Sequence, residues 1–320
     1  MDYRKIVQFV LLAFGLSFLG VYIPSIFMDP EGISTLILQV FLYSWGPAAA
    51  AYIVQKYIYK GSFARYGYNR KRFNFSWVFK TLLAPFGVVV GTILLVFFLG
   101  NLFHLPGFGQ VVLGEGVQSS ETSIAAYTLY NQGIFAPHAF DAVNAFLNKI
   151  MLPEEIWTLL IILAVVGLIA GASVNLIFNL GEEIGWRGFM VAETKSLGFL
   201  GSNLVTGVLY GLWQLPMLLF FIEEWNTEVM FLAWTTVGFA LSISFPLAYF
   251  SLKTRSVYAP ATFIGVLNNI SVIPMFFLIG GNLYLSSVKG LAGMFVLMAF
   301  TYYIIRSDKK FIEDYQDLEY

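Results

Sequence analysis

Residues 156–180, IWTLLIILAVVGLIAGASVNLIFNL, run without a break into residues 181–188, GEEIGWRG. The first stretch is long and apolar enough to cross a hydrocarbon layer of about 30 Å, which takes roughly 20 residues. The second sets Glu182, Glu183 and Arg187 directly against its end. A carboxylate in or beside hydrocarbon costs at least about 2 kcal/mol unless it is paired or wetted, so ionisable residues there are functional candidates by default.

The rest of the chain has the same apolar character. Hydrophobic residues make up 58% and charged residues 12%, with a mean hydropathy of +0.74; a soluble domain carries about 25% charge. Apolar segments at 6–27, 34–55, 82–103, 156–180, 200–221, 229–250, 257–280 and 283–305 use up most of the chain. The expectation is an all-α polytopic membrane protein of about eight transmembrane helices. Three regions follow: helices one to three with an external loop at 104–155, a core at 156–305, and a tail at 306–320. Cysteine is absent, which excludes disulfides, thiolate metal sites and cysteine nucleophiles. The first segment lacks a small-residue cleavage site and reads as a retained helix rather than a signal peptide.

Basic residues orient the bundle. With the N-terminus inside, the cytoplasmic pieces carry every Lys and Arg except Lys149 and Lys289, whereas the external loops hold Asp29, Glu31, Glu154, Glu155, Glu223, Glu224 and Glu228. That asymmetry is the positive-inside pattern. It predicts both termini in the cytoplasm and a multi-pass protein of the cell membrane, with the eighth segment the one whose start is least defined because Lys289 lies near it. The stretch from Lys56 to Arg72, basic and interleaved with Tyr57, Tyr59, Phe63, Tyr66 and Tyr68, reads as charge resting on anionic headgroups, not as a nucleic-acid surface. Residues 140–151 of the external loop fit an amphipathic helix. The tail turns acidic after Lys310 and is expected to be solvated.

The motif itself carries chemistry. Glu183 and Arg187 are four apart and share a helix face, acid first, which is the better order for a pair. Glu182 then points about 100° away, and an unpaired carboxylate in a dry cavity suits proton transfer. The plainer reading makes both acids boundary charges at the cytoplasmic end of the fourth helix. Two further stretches bear on the choice. Gly211-Leu212-Trp213-Gln214-Leu215-Pro216 puts a polar Gln midway along the fifth segment, and Phe263-Ile264-Gly265-Val266-Leu267-Asn268-Asn269 puts two amides midway along the seventh. Each amide read alone is interhelical glue; together with the acids they point to one shared internal site.

In order and spacing these stretches resemble the CPBP family of intramembrane proteases, which includes CAAX prenyl endopeptidases and bacterial abortive-infection and bacteriocin-immunity proteins. The resemblance covers roughly residues 160–280. It implies that Glu182 is the general base, Glu183 and Arg187 its supporting pair, Gln214 a contact for water or the oxyanion, and Asn268 an oxyanion donor. It also implies a histidine where Gln214 stands and another where Ile264 stands. The two histidines of the chain, His104 and His138, fall in the external loop and read as ordinary surface residues. An amide can still hydrogen-bond, but it does not carry a proton as imidazole does. The resemblance therefore implies an endopeptidase of impaired activity acting on lipidated or membrane-embedded peptides. The alternatives are a catalytically silent scaffold or immunity factor and, third, a transporter, which lacks the paired interrupted helices such folds show. No cofactor or metal is expected, since catalytic zinc generally takes three ligands, commonly His. Membrane lipids are the expected surroundings, and nucleic acid is not an expected partner.

Overall fold

The computed structural model describes residues 1–30, 32–67, 74–113, 156–220 and 226–318. The proposed amphipathic helix at 140–151, His138, residues 68–73 of the basic stretch, and Glu31, Lys149, Glu154, Glu155, Glu223 and Glu224 lie outside the described residues.

The helices are α1 (Tyr3–Phe27), α2 (Ile33–Tyr52, extended by a π turn Ile53–Ile58), α3 (Val78–Val96, extended by a π turn Phe97–Leu102), α4 (Ile156–Ala172), α5 (Val174–Glu183, followed by a π turn Ile184–Met190), α6 (Val191–Thr194), α7 (Gly198–Phe220), α8 (Thr227–Thr254), α9 (Tyr258–Ile270), α10 (Leu283–Ser286), α11 (Leu291–Ser307) and α12 (Lys309–Glu313). A two-residue ladder joins β1 (Gln110–Val111) to β2 (Leu278–Ile279). Side chains start several helices: Asp2 accepts from the Lys5 amide, and Asn226 accepts from the Val229 amide, relieving amides that a helix N-terminus leaves unpaired.

The chain is an all-α polytopic membrane protein. Among the described residues six helices are long and apolar enough to span a bilayer, and α4 with the helical run Val174–Leu218 forms a further pair bent by 50°. The fourth and fifth apolar segments of the sequence both fall within that pair. The seventh is shorter than 257–280, because α9 stops at Ile270 and Pro274 opens a 3-10 turn, Ile273–Phe277. The eighth is broken, with α11 starting two residues after Lys289. Large apolar side chains such as Leu11, Phe27, Phe79, Ile161, Ile169 and Trp234 cover the outside, as a lipid-facing surface requires and a water-facing one rarely tolerates. Polar groups in the spans mostly close locally: Thr92 donates to the Val88 carbonyl and Thr301 to the Leu297 carbonyl, which keeps these hydroxyls satisfied away from water.

Packing is tight where small residues meet. A Cβ on Gly171 would lie 2.4 Å from the Val266 nitrogen, and one on Gly265 would lie 2.5 Å from the Gly171 carbonyl, so the backbones of α4 and α9 touch. Small residues permit such contact between apolar helices, for which hydrophobicity alone offers no drive in lipid.

Both ends of the described chain meet on one face. Lys5 is buried, pairs with Glu193 at 2.8 Å and donates to the Tyr66 hydroxyl, while Arg65 also pairs with Glu193. Lys195 donates to the Leu318 carbonyl at 2.8 Å. The basic stretch is therefore more than charge resting on lipid headgroups, because Tyr66 is fully buried and Arg65 is engaged by an acid. The acidic tail is likewise not simply solvated. Phe311 and Tyr315 are buried against Phe199 and Tyr249, an apolar pair that the surrounding charge conceals.

Asp308 anchors that tail. It caps the Phe311 amide, accepts from the Tyr249 hydroxyl at 2.9 Å and pairs with Lys253. Burial pushes its carboxyl up, but the Lys253 and Tyr249 hydrogen bonds outweigh it and hold the group below the usual carboxylate range. A depressed folded pKa contributes stability above the unfolded value and loses it as pH falls through the folded one. Protection of the amides of residues 309–318 against exchange, taken relative to the intrinsic rate at each pH, is thus expected to be high near neutrality and to fall as pH drops below the ordinary carboxylate range, with Asp308→Asn poorly protected throughout. Exchange that ignores both the acid and the substitution would remove Asp308 as the anchor.

Candidate active site

Glu182 and Glu183 diverge as their stagger requires. Glu183 is fully buried and accepts from Arg187 at 2.9 Å; Arg187, also fully buried, donates to the Ser244 hydroxyl at 3.0 Å and lies 4.4 Å over the Tyr210 ring. The helix between them is a π turn, a form often found at functional sites. Glu182 faces the other way and accepts from Ser44 at 3.0 Å and from Tyr210 at 2.9 Å. Tyr210 thus ties the two acids together, its ring against Arg187 and its hydroxyl on Glu182.

Glu182 opens onto a cavity of about 300 Å³. Gln214, Ile264, Asn268 and Lys289 line it too, beside apolar residues that include Val40, Met217, Leu232 and Phe239. Five helices therefore converge: α2 and α5 supply Ser44 and Glu182, α7 supplies Tyr210 and Gln214, α8 a wall, and α9 Ile264 and Asn268. Of the residues expected at a shared site, Glu182, Gln214 and Asn268 are together, and Glu183 and Arg187 sit behind them. The side-chain amides of Gln214 and Asn268 have no hydrogen-bond partner among the described residues, so neither is interhelical glue there. Asn269 takes that part, donating to the Gly265 carbonyl at 2.8 Å and towards the Gly167 carbonyl of α4. His104 is exposed and does not line the cavity.

The depth differs from a boundary position. Thr235 and Thr236 of the cavity wall lie about 27 Å along α8 from Lys253, and Gln214 about 24 Å along α7 from its start, at 1.5 Å per residue. Glu182 is a cavity residue inside the bundle. At Ser173 the helical run turns by 50°, and α5 and its π turn lead on from there to Glu193 and the basic face.

Two glycines let α5 reach α2. A Cβ on Gly181 would fall 2.5 Å from the Ser44 carbonyl oxygen, and one on Gly185 would fall 2.4 Å from the Pro47 Cβ. This contact sets Ser44 against Glu182. Gly185→Ala must push α2 away and is expected to cost about 1–3 kcal/mol, as overpacking does, read as a lowered midpoint of thermal unfolding in detergent. An unchanged midpoint would mean that α2 yields without cost. On the far side of the cavity Trp213 stacks on Tyr43 at 4.4 Å and donates to Ser17 at 2.9 Å, while the Tyr43 hydroxyl donates to the Trp213 carbonyl. These bonds fix the turn of α7 that presents Gln214.

Tyr210, Ser44 and Lys289 are cavity residues beyond those the sequence singled out for the site. Tyr210 stands four before Gln214 and so on the same helix face, a signal that was available. Lys289 was marked by its exception to the charge pattern. Ser44 carried none.

Among curated proteins no match is found. Residues 153–270 match the family model described as type II CAAX prenyl endopeptidase Rce1-like. The matched segment holds Glu182, Tyr210, Gln214, Ile264 and Asn268, while Ser44 and Lys289 are contributed from outside it. Residues 153–270 thus form an Rce1-like domain, which supports the resemblance of this part of the chain to the CPBP family.

Proposed function

We propose that the chain is an intramembrane endopeptidase of slow turnover, cleaving membrane-associated peptides such as prenylated tails with water activated by Glu182. The observation that carries this reading is the division of labour between the two acids: Glu183 is neutralised by Arg187 away from the cavity, leaving Glu182 as the carboxylate that lines it, among amides, hydroxyls and the ammonium of Lys289.

The step follows from those positions. Water adds its oxygen to the scissile carbonyl carbon as Glu182 takes its proton, and the carbonyl electron pair moves to oxygen. The amide N–H groups of Gln214 and Asn268 donate to that oxyanion. Collapse re-forms the carbonyl, breaks the C–N bond and sends the Glu182 proton to the departing amine. Ser44 and Tyr210 orient the base without exhausting it, since a carboxylate has about four acceptor sites. The apolar lining from Val40, Met217, Leu232 and Phe239 suits a lipid-modified or apolar peptide.

Slow turnover is inferred from two positions. Gln214 moves no proton, and Ile264 brings an apolar side chain to the cavity wall; a missing oxyanion donor typically costs about 10²–10³ in rate. The same observation favours a second reading, a silent family member that binds such peptides as a scaffold or immunity factor. Residues 156–305 would be the CPBP-like transmembrane core in either case, in a cell-membrane protein of eight helices with both ends cytoplasmic. Purified protein in lipid nanodiscs, given a fluorogenic prenylated tail peptide, should release product slowly and in proportion to enzyme. Tight binding of that peptide with no product would select the silent reading.

A further inference from the structure

Lys289 is the cation of this cavity that neither the sequence motifs nor the matched segment accounts for. It belongs to the short link between α10 and α11, and that link is rigid. The amides of Ser287, Gly290 and Gly293 bond to the carbonyls of Leu283, Ser287 and Ser287, and Val288 is fully buried. A Cβ on Gly290 would lie 2.6 Å from the Leu283 carbonyl oxygen, and one on Gly293 would meet the Val288 carbonyl oxygen at 1.8 Å. The backbone therefore holds Lys289 at the wall, with its side chain open to the cavity.

A lysine at membrane depth has a high cost unless it has a partner or a task. Glu182 acts on Lys289 electrostatically across the cavity while its own oxygens accept from Ser44 and Tyr210. Arg187, the other cation that acts on Glu182 electrostatically, is committed to Glu183 and Ser244. The other polar side chains lining the cavity are a carboxylate, amides, hydroxyls and the Trp213 indole, whose N–H is taken by Ser17. An ammonium placed where negative charge develops stabilises it more than a neutral amide does, because hydrogen bonds to ions are roughly twice as strong.

We propose that Lys289 is a catalytic residue of this chain, its ammonium donating to the oxyanion that forms on the scissile carbonyl beside Gln214 and Asn268. This rests on the endopeptidase reading above, and it assigns the electrophilic part of the site to a residue outside the matched segment.

The test is binding, so it does not depend on turnover. A peptide carrying a phosphinate in place of the scissile amide mimics the tetrahedral anion, and the same peptide with a neutral ketomethylene does not. Both are titrated against Glu182→Gln and Glu182→Gln with Lys289→Met, a background in which Lys289 has no carboxylate left to neutralise. Removing Lys289 is expected to weaken the phosphinate about 10²-fold, to leave the ketomethylene within a few-fold, and to be largely reversed by Lys289→Arg. Retained ketomethylene binding also shows that the variant is folded. Equal phosphinate binding with and without Lys289, or no preference for the phosphinate in the unsubstituted chain, overturns the proposal and leaves Lys289 a counter-ion. Failure of the endopeptidase reading shows elsewhere, as turnover that is absent or indifferent to Glu182→Gln.

Discussion

Glu182→Gln is expected to lower hydrolysis of a prenylated tail peptide by about 10³-fold while leaving peptide affinity and thermal stability close to those of the unsubstituted chain. A positioned general base contributes roughly 10²–10⁴ in rate, and in this cavity Glu182 is the carboxylate able to reach water. Glutamine preserves volume; its carbonyl oxygen still accepts from one of the two hydroxyls and its NH2 donates to the other, since a hydroxyl also accepts, so the wall keeps its shape and proton uptake is lost. The contrast is Glu183→Gln. Glu183 and Arg187 form a fully buried pair, and weakening one partner leaves uncompensated charge; that substitution should lower stability before it lowers rate. The readouts are turnover, binding of a ketomethylene peptide and thermal midpoint, on both variants. Turnover that survives Glu182→Gln would sink the assignment of the base, and a Glu183→Gln chain as stable as the original would sink the division between the two acids.

The opposite orientations of the adjacent glutamates were legible because helical stagger is local: four residues bring Arg187 to Glu183, and one residue turns Glu182 away. Gln214 and Asn268 were legible as depth, since polar side chains midway along apolar segments must meet something. Ser44 was not legible, because its place beside Glu182 depends on Gly181 and Gly185 closing α5 onto α2, a contact between segments more than a hundred residues apart. The bend before the site was hidden for a related reason, since nothing in the composition around Gly171-Ala172-Ser173 fixes a turn of 50°. In the tail, net charge masked Phe311 and Tyr315, whose burial needs only two apolar side chains, one on α12 and one in the turn after it. Lys289 is the instructive intermediate, since an exception to the charge pattern was visible although its partner was not.

Restoring imidazole to the two positions where the family resemblance places histidine is expected to raise turnover by about 10²–10³-fold, the size of one well-placed oxyanion donor or more. Gln214 and Ile264 both line the cavity that holds Glu182, so Gln214→His with Ile264→His brings two titratable donors to the reacting centre without rebuilding the backbone. The hydrogen bonds that fix α7 come from Trp213 and Tyr43, not from Gln214, and survive the change. Ile264 is buried, but its wall borders a cavity that also holds Asn179 and Asn268, so an imidazole there has polar neighbours rather than hydrocarbon alone. The single variants separate the parts. Gln214→His should raise rate chiefly by assisting proton movement, since an amide lacks a titratable proton near neutrality, whereas Ile264→His should act as an added donor. If the double variant folds, binds the ketomethylene peptide and turns over no faster, then imidazole is not what limits this site, and the amides with Lys289 already supply what the chemistry requires. A gain that vanishes when Glu182→Gln is added would place the new imidazoles on the same water, because groups that act as one unit do not contribute additively.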